Sequence, residues 1–135
     1  MLVCMELLRI SAVTLLVKDM HKSYCFYSKV PGFHISYCTD KFITFTLEGD
    51  NDTKTHLNLE LKKRDRFQGV ELMDFGRIIF HVDNVDALHS YFKSEVSILK
   101  LITIEMDPEN APWGERYFHI RDPDGYQISF AKPIK

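Results

Sequence analysis

Hydrophobic and polar residues alternate over "ISAVTLLVKD", residues 10–19, with Val13, Leu15 and Val17 on one face and Ala12, Thr14 and Leu16 on the other. A period of two predicts a strand. The period then changes. In "DMHKSYCFYSKVPGF", Met20, Tyr24 and Tyr27 fall at helical spacing, Asp19 stands where an N-cap belongs, and Pro31-Gly32 ends the helix. Further strands are predicted over 33–39, 42–48 and 55–62.

A shift of 65 brings the pattern back. Ile78, Phe80 and Val82 stand where Val13, Leu15 and Val17 stood, Asn84 replaces the Asp19 cap, and Tyr91-Phe92 replaces Phe26-Tyr27. An extended stretch over 99–106, then "ERYFHIRD", then the strand after "DPDG" complete the second half. The expectation is therefore one domain of two βαβββ modules, about 8–62 and 77–132, joined by the charged linker 63–76. In the turn Asp122-Pro123-Asp124-Gly125, proline fixes φ and glycine tolerates a positive φ. The following alternation aims Gln127 and Ser129 away from the face of Tyr126, Ile128 and Phe130.

Composition narrows the function classes. The 135 residues are 45% hydrophobic and 27% charged, as in ordinary globular domains. A net charge of −2 with no basic cluster gives no case for nucleic acid. Three cysteines without CxxC spacing suit a reducing compartment, and "MLVCMELLRI" lacks a basic leader, so a cytoplasmic, non-membrane protein is expected.

The doubled pattern, with "VTLLVKDMHKSYCFYSKVPGF", "FHVDNVDAL" and "PWGERYFHIRDPDGYQISF", resembles the glyoxalase / bleomycin-resistance / extradiol-dioxygenase (vicinal oxygen chelate) superfamily over roughly residues 8 to 132. The resemblance implies an α+β fold with curved mixed sheets around a cavity, helices outside, and a homodimer. Such scaffolds carry lyases, epimerases, dioxygenases and drug binders alike, so the residues must decide.

Metal-using members place ligands at positions matching Ala12, Glu60, Arg77 and Ser129. Of these only Glu60 suits a divalent cation, and a guanidinium repels one. No metal or other cofactor is therefore expected. A relocated site built from His56, His81 and His119 requires those strands to converge. Alternation sends His56, Asn58, Glu60, Arg77, Ile79, His81, Gln127 and Ser129 to the polar face. Arg77 with Glu60 reads either as an internal ion pair or as a clamp for an anionic ligand. Trp113 stacks on a planar ligand or covers the core, and Tyr117, His119 and Arg121 share one face. His21, His34 and His89 are read as surface residues, and Cys25 as no nucleophile. The expected function is metal-independent binding of an anionic or polar-aromatic small molecule, with Glu60, Arg77, His81, Trp113, Tyr117, His119 and Ser129 around it. The alternative is a metal-dependent glyoxalase-like lyase, isomerase or dioxygenase with a displaced site.

Overall fold

A computed structural model describes residue 5, residues 7–62 and residues 76–134. The linker expected at 63–76 falls almost wholly outside these residues. The first sheet is formed by β1 (Ala12–Val17), β2 (His34–Cys38), β3 (Phe42–Glu48) and β4 (Lys54–Leu61), in the order β1-β4-β3-β2. The second contains β5 (Arg77–His81), β6 (Thr103–Ile104), β8 (Glu115–Arg121) and β9 (Gln127–Pro133), in the order β5-β9-β8-β6, and β7 (Glu109–Asn110) also pairs with β8. The orders match once β5 is set against β1 and β9 against β4. In each sheet the first and last strands run parallel and the others antiparallel.

Helix α1 (Met20–Tyr27) starts where the Asp19 carboxylate accepts from the Lys22 amide, and α2 (Val85–Ser94) where the Asn84 side chain accepts from the Ala87 amide. Both caps are the ones read from sequence. The stretch 99–106 is less extended than expected. A short helix α3 (Val96–Leu99) occupies its start, and only Thr103–Ile104 is strand.

The apolar faces share one core. Leu15, Val17, Leu57 and Leu59 face it from the first sheet, and Phe118, Ile120, Ile128 and Phe130 from the second, all buried. The helices meet through Phe26 and Phe92, whose ring centroids are 5.8 Å apart. Phe92 in turn packs on Phe118 and Phe130 at 6.2 and 5.5 Å. Buried aromatic groups of this size dominate core energetics. His89 corrects one expectation. It is only 8% exposed, set edge-on to Phe118 at 5.1 Å. Its place four residues after Val85 and one after Leu88 puts it on the buried stripe of α2 rather than on the surface.

The Asp122 turn ties the halves together. Gly125 has φ +91° and donates its amide to the Asp122 carbonyl at 2.9 Å, closing the turn. One Asp122 carboxylate oxygen accepts from the amides of Asp124 and Tyr126, and the other from the Tyr27 hydroxyl at 2.6 Å. Asp124 accepts from the Lys18 amide at 2.8 Å and from the Ser23 hydroxyl at 3.1 Å. The turn expected to bond its own amides thus also reaches into the first half of the chain.

Candidate functional site

Each sheet turns a polar face away from the common core. On the first sheet the centre of that face is a neutral hydrogen-bonded network, and the Glu60 carboxylate stands exposed further along β4. Thr44 donates to the Asn58 side-chain oxygen at 2.7 Å, and Asn58 donates to Thr14 at 3.2 Å. A second chain links Ser36, Thr46 and His56 Nδ1 at 2.8 and 3.0 Å. Sequence reading did not mark Ser36, Thr44 or Thr46 as site residues. The alternation of Thr44 and Thr46 with Ile43 and Phe45 held the signal.

The polar face of the second sheet carries charge and rings. Arg77, at the start of β5, places Nη1 3.0 Å from His119 Nε2, and His119 Nδ1 lies 3.1 Å from Ser129 Oγ. A guanidinium only donates, so His119 Nε2 accepts and its proton sits on Nδ1, donated to Ser129. Burial, then the Arg77 charge, hold the His119 pKa below its ordinary value, which favours this neutral form. Ser129 is itself buried, and its neighbour across the ladder is His119. The chain Ser129–His119–Arg77 fixes where the guanidinium points.

Alongside runs a row of rings. Trp113 lies 5.8 Å from Tyr117, and Tyr117 lies 5.0 Å from His119. The Trp113 indole donates to Glu115 at 3.1 Å, and the ring is 66% exposed, so it does not serve as a cover for the core. His81 faces the other Glu115 oxygen at 3.1 Å. Tyr117 donates to Glu109 at 3.0 Å, which raises its pKa. Arg121 and Gln127 both bond Glu105. Burial pushes the Glu105 pKa upward, but these hydrogen bonds outweigh it and the net shift is down.

The structure separates Glu60 from the others. Glu60 stands exposed on the first sheet, and Arg77 bonds His119 rather than Glu60, so the internal ion pair is not formed within the chain. The ladder also shifts the matching position. Ser129 lies two residues beyond the partner of Arg77, which is Gln127. The residue two beyond His56, the partner of Ala12, is Asn58, whereas Glu60 stands opposite Leu16. The four equivalent positions are thus Ala12, Asn58, Arg77 and Ser129: no side-chain donor, an amide, a cation and a hydroxyl already engaged by His119. That set does not fit a divalent cation. Nor do His56, His81 and His119 converge, since each has a different partner. No three His, Cys, Asp or Glu side chains among the described residues come together as a metal site.

Between the sheets a groove of about 610 Å³ runs along β5. Val13, Leu47 and Leu57 wall it from the first sheet, and Ile78, Ile79 and Phe80 from β5. His56, Arg77 and His81 give it polar corners. Its volume lies in the range of small-molecule sites. Arg77 and His81 thus border both the polar face and the groove, while Trp113, Tyr117, His119 and Ser129 lie on the face alone.

A sequence profile of the Glyoxalase/Bleomycin resistance protein/Dioxygenase superfamily matches residues 9–130. The chain belongs to this superfamily. Solved structures share its fold. A glyoxalase-related enzyme from Fulvimarina pelagi is 19% identical with a TM-score of 0.67, over 93% of this chain and 88% of that one. A glyoxalase/bleomycin resistance protein/dioxygenase family enzyme from Burkholderia phytofirmans is 17% identical with a TM-score of 0.69, over 92% and 98%. A bleomycin-binding protein from Streptomyces verticillus, solved with copper(II)-bleomycin, is 19% identical with a TM-score of 0.60, over 93% and 97%. Comparison with curated proteins gives no match. At these identities the superfamily's activities do not transfer to this chain by likeness alone.

Proposed function

We propose that this superfamily member binds a small anionic or polar-aromatic molecule without a divalent metal, with Arg77 as the receptor for its negative charge. One observation carries the reading. Arg77 is aimed by the neutral His119, itself held by Ser129, and its guanidinium has no carboxylate partner among the described residues. A positioned cation with free donors beside a groove is a binding group for a carboxylate or phosphate. The rings of Trp113, Tyr117 and His119 supply flat apolar surface next to it.

The test is calorimetric titration of benzoate into the wild-type protein and into Arg77→Met, with and without EDTA. Binding that disappears in the variant and ignores the chelator supports the proposal. Binding that survives Arg77→Met sinks it. The displaced-metal lyase, isomerase or dioxygenase predicts one tightly held transition ion per chain after purification without chelator, read by elemental analysis.

The homodimer is likewise a proposal. The outer edge of β1 has no ladder partner among the described residues, and Leu7, Leu8 and Ile10 leading into it are exposed. A second copy would cover this apolar stretch, and light scattering measures it. Among the described residues no helix is long and apolar enough to cross a membrane, and Cys25 and Cys38 are free thiols. A reducing cytoplasm is the location proposed on those thiols.

A further inference from the structure

The groove along β5 says more about the ligand than its charge. Seven apolar side chains line it, among them Val13, Leu47, Leu57, Ile78, Ile79 and Phe80. Ile79 is 55% exposed, an aliphatic side chain facing outward on an edge strand. The polar corners are not equivalent. His81 is occupied by Glu115, and His56 by Thr46. Glu48, the carboxylate that lines the groove, lies opposite Lys54 in the β3–β4 ladder. Arg77 is the one residue of permanent positive charge among the described lining residues, and it has no carboxylate partner among them. It stands at one end of β5, with His81 at the other, roughly 13 Å along the strand.

We infer that the groove takes an amphiphilic monoanion, its carboxylate on Arg77 and its aliphatic tail laid along Ile78, Ile79 and Phe80. Among the described residues a dianion finds no second free cation lining the far end. A polar tail would leave its donors and acceptors unpaired against apolar walls. A purely planar anion would lie on the open ring face beside Trp113 and leave the groove unfilled. This inference rests on Arg77 being the anion receptor proposed above, and it adds the aliphatic tail.

The experiment titrates octanoate, octan-1-ol and acetate separately, followed by amide NMR shifts of β5 and by calorimetry. Octanoate is expected to bind at least tenfold tighter than either acetate or octan-1-ol. Arg77→Met is expected to reduce octanoate to the affinity of octan-1-ol. Ile79→Asn, at an exposed position where the fold tolerates a polar group, should weaken octanoate at least tenfold and leave acetate unchanged. Acetate binding through Arg77 with octanoate no tighter overturns the tail and leaves the anion receptor standing. Absence of binding by both carboxylates overturns both. Octanoate affinity that rises as the protein is diluted would mean that a second copy covers the groove, which also overturns the proposal.

Discussion

The Asp122→Asn substitution tests the seam between the two halves. Asp122 is buried, and burial pushes its pKa from 3.8 up to about 6, although hydrogen bonds from Tyr27 and from the Tyr126 and Asp124 amides pull it down. The fold therefore holds a proton that the unfolded chain releases between those two pH values. Stability from this group is complete below pH 3.8 and is lost as pH rises through about 6. The gap of about two units, at roughly 1.4 kcal/mol each, gives about 3 kcal/mol. His119 works in the opposite sense. Its pKa is lowered, so its contribution falls on acidification, and wild-type data alone would mix it with Asp122 and with Asp124, whose pKa burial also raises. The difference between wild type and Asp122→Asn removes His119. In the variant the amide oxygen can still accept from the two backbone amides while its NH2 group donates to the Tyr27 oxygen. Urea unfolding followed by far-ultraviolet circular dichroism supplies the free energies, because Trp113 is too exposed to report on the core. From about pH 4 to pH 7.5, wild type should lose roughly 2–3 kcal/mol relative to the variant. A difference that stays constant across that range refutes the reasoning.

Tyr27→Phe should cost about 1–3 kcal/mol at neutral pH, since it leaves a buried Asp122 oxygen without its partner, and less at acid pH where that oxygen is protonated. Phe92→Ala should cost about 3–5 kcal/mol by opening a cavity between α2 and the second sheet, read as a lower urea midpoint. Asn84→Ala removes the cap of α2 and should cost about 1 kcal/mol in the same assay. In histidine NMR titrations, Arg77→Met should raise the His119 midpoint while leaving it below 6.5, because burial is the larger cause of its depression.

Local rules made much of the fold readable. The strands at 12–17 and 42–48, both helix caps and the glycine turn follow from alternation, capping chemistry and the freedom of glycine at positive φ. Local pattern failed where partners lie far away in sequence. Nothing near Glu60 announces that the ladder sets it opposite Leu16, nor does anything near Arg77 announce His119, 42 residues on. His89 was missed because a histidine was read by its polarity rather than by its place four residues after Val85. Cys25 was read as no nucleophile without reference to His21, which stands one helical turn earlier with Nε2 3.6 Å from its sulfur. Residue types on the polar faces were legible from the alternation, whereas the groove arises only when two sheets meet.

The Asp122 turn makes the two halves unequal. Strand order repeats faithfully, but the carboxylate cross-links are one-sided: Asp122 and Asp124 of the second half accept from the Lys18 amide and the Ser23 and Tyr27 hydroxyls of the first, while the Tyr91 and Tyr126 hydroxyls of the second half donate to the Lys29 and Leu16 carbonyls of the first. The matching hairpin of the first half bonds locally, Gly49 to Thr53 and Thr53 to Asp50. A chain made of two first halves would bury Tyr27 and Ser23 without acceptors, and one made of two second halves would bury Asp122 without its hydroxyl. The repeat has thus acquired a direction. Its halves resemble each other as a plug resembles its socket.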